Sequence, residues 1–243
     1  MSRRLVRFAS ALIASLAVLG AALPAQAERK TTNVLIVGDS VASVLRWAPE
    51  SMKPLWHSEY NVTLETWGCQ KLVDPGCIGL AKLSALQQIQ RHRNDNFDMV
   101  IVATGYNDTG AEYLRRSIRK ISKEVSSQGA DLMWLTYREN GNVRIKNRAF
   151  NNVVREEQIE QKMTVLDWEL IARKNKHWFS GDAVHMNRFG GLQLARQIKK
   201  GLDIHYGRAL PAPSTSVPAT TTTVHLATTT TSIAPTTTAV ASS

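Results

Sequence analysis

Two segments of the chain contain residue types that act together in nucleophilic catalysis. The segment "VLIVGDSVAS" (34–43) contains Ser40, and the segment "SGDAVHMNRFGG" (180–191) contains Asp182 and His185. A serine hydroxyl becomes a good nucleophile when a histidine takes its proton, and a carboxylate then holds that histidine in the correct tautomer. Asp182 precedes His185 by three residues and can reach it within one turn of the chain. We therefore predict Ser40 as nucleophile, His185 as base and Asp182 as the triad acid, provided that the fold brings the two segments together.

Each of these residues also fits a purely structural role. Ser40 precedes a predicted helix, where serine is a common N-cap. The D-x-x-H spacing arises by chance in about half of chains of this length, so His185 alone could be a partly buried structural histidine. We expect two further carboxylates, Asp39 and Asp108, to brace their loops by accepting hydrogen bonds from backbone N–H groups.

An acyl-transfer site also needs hydrogen-bond donors for the oxyanion that forms on the attacked carbonyl group. The segment "ATGYNDTG" supplies Asn107, and "WGCQKL" supplies Gly68, whose N–H a substrate can approach closely because no Cβ is present. Ordinary turn chemistry explains either segment when it is taken alone. The candidate oxyanion donors are the N–H groups of Ser40 and Gly68 and the side-chain amide of Asn107, and the structural explanation remains open for each of them at this point. Tyr106 is predicted to line the substrate cleft.

Apolar runs of strand length alternate with amphipathic runs of helix length, as expected when crossover helices join parallel strands. Runs such as "MVIVA" at 99–103 are apolar throughout, which is typical of a sheet buried on both faces. The predicted strands are Asn33–Val37, Tyr60–Thr66, Phe97–Thr104, Asp131–Tyr137 and Met163–Asp167. The pattern predicts an α/β fold, a three-layer α/β/α sandwich with a five-stranded parallel sheet.

Two of the predicted helices show a clear apolar stripe. In the first, the stripe recurs at steps of four, three and four residues and consists of Leu114, Ile118, Ile121 and Val125. The arginines and lysines between these positions are predicted to form a solvated face. The last helix is expected to close the domain with a stripe of Leu192, Ala195, Ile198 and Leu202.

The candidate site residues all follow predicted strands. Ser40 follows the first strand, Gly68 the second and Asn107 the third. Asp182 and His185 come after the last strand. Because sheets of this kind place their sites beyond the carboxyl ends of the strands, we expect these residues at one edge of the sheet.

Four short patterns, in this order and each after its own strand, resemble the SGNH hydrolases, also called the GDSL esterase/lipase superfamily, in their secreted bacterial form. The matching segments are "VGDS", "WGCQ", "GYND" and "DAVH", and the resemblance extends over about residues 33–205. Val41 stands where the name-giving motif has leucine, at a position that we expect to serve packing.

The resemblance implies a flavodoxin-like sandwich and a serine hydrolase that acts on acetyl or longer acyl esters of glycans or lipids. Ser40 would attack the ester carbonyl while His185 takes its proton, with Asp182 as the triad acid. Gly68 and Asn107 would help to hold the oxyanion. Water would then release the acyl group, so that no metal or organic cofactor is required.

Both ends of the chain differ in composition from its middle. Residues 1–27 have a basic start, an apolar stretch and a small-residue cleavage site, which predict a secretory signal peptide; a membrane anchor is the alternative. Residues 209–243 contain no charged side chain and are rich in Thr, Ser, Pro and Ala, which predicts a disordered tail. The hydrolase-like domain is therefore expected to span 28–208, with no stable membrane span once the signal is cleaved.

The remaining composition bears on compartment and partners. Removing the three arginines of the signal from 30 basic residues leaves 27 against 20 acidic ones, a net charge of +7 that favours anionic cell-wall polymers or lipid headgroups. The basic residues are dispersed and the protein is exported, which argues against nucleic acid. In an exported protein, Cys69 and Cys77 are expected to form a disulfide, and they have no further ligands for a metal site.

These observations predict a secreted serine esterase that hydrolyses acyl esters on a cell-envelope glycan, a lipid or another extracellular substrate. Two alternatives remain open at this point. An O-acyltransferase would use the same acyl-enzyme and exclude water. A non-catalytic envelope-binding module would keep the fold without turnover.

Overall fold

A computed structural model describes residues 31–56, 58–182 and 184–208. The predicted signal peptide at 1–27 and the predicted tail at 209–243 lie outside these residues. The described chain begins with a strand and ends with a long helix, and between them strands and helices alternate.

The strands form a parallel sheet of five, as predicted. They are β1 (Thr32–Gly38), β2 (Tyr60–Thr66), β3 (Met99–Ala103), β4 (Asp131–Leu135) and β5 (Thr164–Leu166). Their spatial order is β2-β1-β3-β4-β5, and all four neighbouring pairs are parallel. The carboxyl ends of all five strands therefore lie at one edge, the geometry that the candidate residues require.

The third and fourth strands end earlier than predicted. β3 stops at Ala103 because the chain turns at Gly105, which has a φ of 137°. β4 stops at Leu135 because the side chain of Asn151, a helical residue, forms the backbone hydrogen bonds of Tyr137 in place of a neighbouring strand. The Asn151 Oδ1 accepts the Tyr137 N–H at 2.7 Å, and the Asn151 Nδ2 donates to the Tyr137 carbonyl at 2.8 Å. At the end of β4 a side chain thus replaces the next step of the ladder, and a contact with a residue so far along the chain leaves no periodic signal in the sequence.

Seven α-helices lie in the described residues. They are α1 (Val44–Trp47), α2 (Lys53–Trp56), α3 (Ala85–Arg91), α4 (Ala111–Ser127), α5 (Arg144–Glu160), α6 (Trp168–Ala172) and α7 (Arg188–His205). Short 3₁₀ turns occur at Pro49–Met52, Gly141–Val143 and Lys176–Trp178.

Alternate residues of the central strands face opposite sides of the sheet and form two apolar cores. One core joins Val34 and Ile36 of β1 to residues of α1, α2 and α7, including Leu45, Leu55 and Ile198. The other joins the alternate residues of β1 to α3, α4 and α5, and includes Leu35, Val37, Ile89, Ile118 and Phe150. The central strands β1, β3 and β4 are buried on both faces, which explains their nearly continuous apolar sequences.

The apolar stripe of α4 is buried as predicted, but part of its basic face is not simply solvated. Arg115 and Arg119 both contact Glu157 of α5, at 2.9 and 2.8 Å. The Glu157 side chain is only 1% exposed, and the hydrogen bond from Arg119 lowers its pKa. These ion pairs join α4 to α5. In the last helix, Leu192 is only partly buried, and Leu194 occupies the core in its place.

None of the described helices has both the length and the apolar character needed to cross a membrane.

Candidate active site

Ser40 and His185 meet at the carboxyl edge of the sheet. The His185 Nε2 lies 2.8 Å from the Ser40 Oγ, although 145 positions separate the two residues in sequence. Ser40 follows β1, and His185 lies in the loop just before α7. This distance is within the range over which a histidine can take a proton from a serine hydroxyl.

Asp182 lies on the opposite side of the His185 ring. Its Oδ2 makes a short contact with the His185 Nδ1. Its Oδ1 accepts the backbone N–H groups of Val184 and His185 at 3.2 and 2.9 Å. A carboxylate beside Nδ1 favours the tautomer that carries its proton there, which leaves Nε2 to accept the hydrogen of the Ser40 hydroxyl.

The charge state of Asp182 suits this arrangement. Burial acts to raise the pKa of Asp182, but hydrogen bonds from the His185 side chain and from the backbone of His185 and Val184 outweigh it, so the pKa lies below its usual value. The carboxylate is therefore ionised at neutral pH and can support an imidazolium. The side chains of His185 and Asp182 are 42% and 50% exposed, so the pair is open to an incoming substrate.

The loop that carries Asp182 and His185 is closed by backbone contacts at its base. Ser180 N–H donates to the His185 carbonyl at 2.8 Å, and Phe179 forms an antiparallel bridge with Met186. Directly after the loop, Asn187 caps α7 by accepting the Gly190 N–H at 2.9 Å. The long last helix thus fixes the position of His185.

The turn that carries Ser40 is tightly packed. A Cβ at Gly38 would lie 2.7 Å from the Ala42 Cβ, so only glycine allows the chain to fold back there. The N-cap position of α1 is Ser43, whose hydroxyl donates to the Ser40 carbonyl at 2.7 Å. Ser40 is therefore not the N-cap of this helix, and its hydroxyl faces His185 instead.

Asp39 links the Ser40 turn to the loop after β3. It is fully buried and accepts the N–H groups of Val41, Gly105 and Tyr106 at 3.0 to 3.1 Å and the Thr104 hydroxyl at 3.3 Å. Burial raises the pKa of Asp39, while these hydrogen bonds act to lower it. The Asp39 carboxylate braces two loops rather than one, because its hydrogen-bond donors lie in the loop after β1 and in the loop after β3.

The third loop presents the Asn107 amide toward the same edge. Its Nδ2 donates to the Gln70 carbonyl at 3.2 Å, which fixes the side chain, and the second hydrogen on this nitrogen remains for a further acceptor. Asp108 accepts the Leu72 N–H at 3.2 Å, and burial raises its pKa to about 6. A Cβ at Gly105 would lie 2.3 Å from the Tyr137 Oη, which explains the glycine before this turn.

Gly68 lies in the turn after β2, directly before the predicted disulfide. The structure contains that disulfide between Cys69 and Cys77, with their Cα atoms 5.6 Å apart. The residue with positive φ in this turn is Cys69, at 61°, and a Cβ added at Gly68 would meet no atom within 4 Å. The backbone bend therefore does not require a glycine at position 68, and the space next to Gly68 is open.

Tyr106 is half-buried between the Ser40 turn and the loop after β4. Its hydroxyl accepts the Arg138 N–H at 2.8 Å, and its ring meets the Tyr137 ring edge-on with the centroids 5.4 Å apart. The hydroxyl is thus held by the backbone, and Tyr106 lines a small apolar pocket together with Val41 and Ala42.

Sequence reasoning did not find two residues that hold this site. Gln70 acts through its backbone carbonyl, which accepts both the Asn107 amide and the Thr104 hydroxyl. Lys146 of α5 donates to the carbonyl of Tyr106 at 2.5 Å and to that of Asp108 at 3.3 Å. A backbone acceptor and a lysine on an amphipathic helix have no distinctive sequence pattern, so no signal pointed to either.

Across the described residues, no group of three or more His, Cys, Asp or Glu side chains is arranged to hold a metal ion.

No protein-family model matches this chain, and neither does any curated protein sequence. Solved structures do match. The psychrotrophic esterase EstA from a Pseudoalteromonas species, inhibited by monoethylphosphonate, has a TM-score of 0.59 at 10% identity, covering 73% of this chain and 100% of its own. A carbohydrate esterase of family 3 from Talaromyces cellulolyticus has a TM-score of 0.59 at 14% identity, covering 72% and 98%. A GDSL-like lipase from Bacteroides thetaiotaomicron has a TM-score of 0.52 at 13% identity, covering 75% and 92%.

These matches extend over nearly the full length of the solved chains, and they share the parallel sheet between two helical layers. At such low identity they establish architecture. The chain therefore shares the α/β/α fold of these esterase and lipase structures.

Proposed function

We propose that this protein is a secreted serine esterase that hydrolyses acyl esters on a cell-envelope glycan, a lipid or another extracellular substrate. The observation that supports this most directly is the 2.8 Å contact between the Ser40 Oγ and the His185 Nε2, with Asp182 at the other ring nitrogen. A structural histidine would not need a serine hydroxyl and a carboxylate on opposite ring nitrogens at an exposed sheet edge.

In the proposed reaction, the Ser40 Oγ forms a bond to the ester carbonyl carbon while its proton passes to the His185 Nε2. The tetrahedral intermediate collapses when the bond to the alcohol oxygen breaks, and His185 returns the proton to that oxygen. Water then attacks the acyl-enzyme with His185 again as base, which releases the acid and restores the Ser40 hydroxyl. Asp182 remains ionised throughout and stabilises the imidazolium.

The oxyanion would be held by three donors from three loops. The N–H of Ser40 lies at the turn after β1, the N–H of Gly68 borders open space after β2, and Asn107 has an amide hydrogen beyond the one that it gives to Gln70. Each such donor lowers a barrier of this kind by about 3 kcal/mol. The hydrogen bonds of Asp39 between the first and third loops fix the spacing of two of these donors.

The proposed location rests on composition and on the disulfide. The segment at 1–27 has the sequence pattern of a signal peptide, and Cys69 and Cys77 are paired, as suits an oxidising compartment. The positive net charge left after signal removal would hold the enzyme near anionic cell-wall polymers or lipid headgroups.

The decisive experiment replaces the nucleophile. Ser40→Ala protein is expected to hydrolyse p-nitrophenyl acetate at least about a thousandfold more slowly than wild type, since the members of such a triad act as a unit. Ser127→Ala is the matched control, because the Ser127 hydroxyl donates to the Glu124 carbonyl on α4, in a part of the fold that the site does not use, and its rate should be unchanged. Equal rates for wild type and Ser40→Ala would refute the proposal.

A serine-directed phosphonate provides an independent readout, and the solved EstA structure shows that a phosphonate inhibits a protein of this fold. Wild type should gain the mass of one label on the peptide that contains Ser40, and Ser40→Ala should gain none. Retained binding to isolated cell wall without labelling would point instead to a non-catalytic module. Labelling together with acyl transfer to a sugar acceptor, in place of acid release, would identify an acyltransferase.

A further inference from the structure

Trp67, which directly precedes Gly68, is an exposed aromatic residue that is held in one orientation. It is 37% exposed, and its indole Nε1 donates to the Glu65 Oε2 at 2.9 Å. The Glu65 carboxylate is 8% exposed, contacts Arg91 and lies 3.0 Å from the His92 Nε2. Burial acts to raise the pKa of Glu65, but hydrogen bonds from Trp67 and His92 outweigh it, so the pKa lies below its usual value. An ionised carboxylate therefore fixes the indole ring at neutral pH.

Arg46 of α1 lies on the face of this fixed ring. Its guanidinium carbon is 4.0 Å from the centroid of the Trp67 ring, which is a cation–π contact. Arg46 is exposed and has no acidic partner among the described residues. The ring thus holds a guanidinium group whose planar set of N–H donors is available to an anion.

The stack of Arg46 on Trp67 lies at the same edge of the sheet as the candidate active site. Arg46 belongs to the helix that follows Ser40. The Trp67 N–H donates to the Gly38 carbonyl at 2.9 Å, which joins the turn after β2 to the turn that carries Ser40. A ligand bound on the stack is therefore held at the carboxyl edge of the sheet.

Trp67 also lines a groove of about 560 Å³. This volume is within the range of about 300 to 1,000 Å³ that is usual for sites of small ligands. Among the described residues that line the groove, two are basic, Lys82 and Arg91, and none is acidic. Arg91 pairs with Glu65, whereas Lys82 has no acidic partner in the described part of the chain. The groove therefore favours a ligand that carries negative charge.

Gln88 brings a buried hydrogen-bond acceptor to this groove. Gln88 lines the groove and is 4% exposed, and its Oε1 accepts no hydrogen bond from the described residues. Leaving a buried amide oxygen without a donor costs free energy, which a hydroxyl group of a ligand would recover. A sugar ring offers such hydroxyl groups, together with a C–H face that can pack on an indole ring. The acyl chain of a lipid offers no donor.

We infer that Arg46, Trp67 and the groove form a binding site for an acidic glycan, a sugar chain that carries anionic groups. One anionic group pairs with the Arg46 guanidinium, and a sugar unit occupies the groove against Trp67 with a hydroxyl group that donates to the Gln88 Oε1. This inference rests on the envelope partner in the proposed function and assigns a site to it. It does not depend on ester hydrolysis.

The primary test measures binding by isothermal titration calorimetry with Ser40→Ala protein, so that no ester step intervenes. Polygalacturonate is expected to bind at least about tenfold more tightly than polyglutamate, an anionic chain without sugar rings, and than dextran, a neutral glycan. Equal affinity for polygalacturonate and polyglutamate would overturn the inference, because charge alone would then explain binding. Binding to phosphatidylglycerol vesicles without binding to polygalacturonate would also overturn it and would identify a lipid surface as the partner. The p-nitrophenyl acetate rates of wild type and Ser40→Ala test the esterase proposal separately, so either proposal can fail alone.

Variants of the site provide the second test. Arg46→Gln should weaken the binding of polygalacturonate about tenfold, the effect of losing a hydrogen bond between charged groups. Gln88→Leu should weaken the binding of polygalacturonate and leave that of polyglutamate unchanged. Arg116→Gln is the matched control, since Arg116 is an exposed arginine of α4 whose replacement removes the same charge, and its affinity should be unchanged. Equal weakening by Arg46→Gln and Arg116→Gln, or unchanged binding in Gln88→Leu, would contradict the assignment of the site.

Discussion

Gly68 is the site residue whose identity the protein's own packing does not require. A Cβ there would meet no atom within 4 Å, whereas a Cβ at Gly38 or Gly105 would overlap a neighbour. Positions where glycine is not needed for folding are commonly those where a ligand approaches the backbone. The open space beside Gly68 is compatible with its proposed role as an oxyanion donor.

Substitution of Gly68 by alanine should separate activity from stability. We expect Gly68→Ala to unfold at the same denaturant concentration as wild type, because its methyl group points into open space. Its kcat on p-nitrophenyl acetate should fall about a hundredfold if the methyl group weakens one oxyanion hydrogen bond.

Gly38→Ala is the contrasting variant for this prediction. Its methyl group would overlap the Ala42 Cβ, so it should lose stability as well as activity. Because alanine keeps the backbone N–H, unchanged kcat in Gly68→Ala would show that no substrate group lies close enough to residue 68 to meet an added methyl group there.

At the scale of elements, the site consists of strand ends that are tied to one another. Asp39 joins the turns after β1 and β3, Gln70 joins the turn after β2 to Asn107, and Lys146 brings α5 against the same loop. The Cys69–Cys77 disulfide closes the segment that follows the turn after β2. No single loop positions the donors; they are positioned by cross-connections between loops.

The disulfide should stabilise the protein by limiting the freedom of the unfolded chain. For a loop of this length, with the cysteines 8 residues apart, the chain-entropy relation gives about 2.5 kcal/mol. A variant with both Cys69→Ser and Cys77→Ser should lose about that much free energy of unfolding in urea. Its activity should also fall, because Gly68 adjoins the loop.

Reduction of the wild type supplies the control for the disulfide. Wild type with a thiol reductant should match the double variant, and the reductant should have no effect on the variant itself. A double variant as stable as oxidised wild type would show that the turn is held by its hydrogen bonds alone.

At the scale of the whole molecule, stability depends on carboxyl groups whose pKa values shift in opposite directions on folding. Ion pairs lower the pKa of Glu157, as does the hydrogen-bond network of Asp182. Such groups stabilise the fold above their ordinary pKa and lose that effect as the pH falls through the folded value. Burial instead raises the pKa of Asp39 and Asp108, so these two groups favour the folded state most at low pH.

Asp108 allows this linkage to be measured. Burial raises its pKa from 3.8 to about 6, so the folded state binds its proton more tightly than the unfolded state does. Its contribution is therefore fully present below pH 3.8 and is lost as the pH rises through about 6. Asp108→Asn removes the titration and keeps an oxygen for the Leu72 N–H. Between pH 4 and pH 7 the stability of the variant should rise relative to wild type by about 3 kcal/mol.

Urea unfolding of both proteins across this range checks the prediction. Parallel curves for wild type and Asp108→Asn would show that Asp108 titrates at its ordinary value in the folded protein. Asp74→Asn, at an exposed position of the same region, serves as the control for the removal of one surface carboxylate.

The sequence predicted the architecture well because its signals are local and repeated. Buried parallel strands such as "MVIVA" are apolar throughout, and the stripe of α4 follows the helical period. The predicted ends of β3 and β4 are less accurate. The turn at Gly105 ends β3 and the Asn151 side chain ends β4, and neither feature produces a periodic pattern in the sequence. The sequence of α4 predicts a solvated position for Arg115 and Arg119. It does not reveal their ion pairs, because their partner Glu157 lies on another helix.

The predicted site residues lie at the same sheet edge because topology alone brings strand ends together. Topology does not explain how they are held: Gln70 acts through a carbonyl group and Lys146 through a helix distant in sequence. Local patterns thus predict which groups meet, and three-dimensional packing sets the space between them.

The 145-residue separation of Ser40 and His185 has a consequence for how the protein matures. Ser40 directly follows the first strand of the sheet, whereas His185 is fixed only when α7 packs against α1. This packing is close, since a Cβ at Gly191 would lie 2.7 Å from the Val44 side chain. A partly folded state in which α7 has not docked would therefore lack the contact between Ser40 and His185. Ester turnover during refolding therefore reports the docking of the final helix, and its onset should lag behind the appearance of helical circular dichroism.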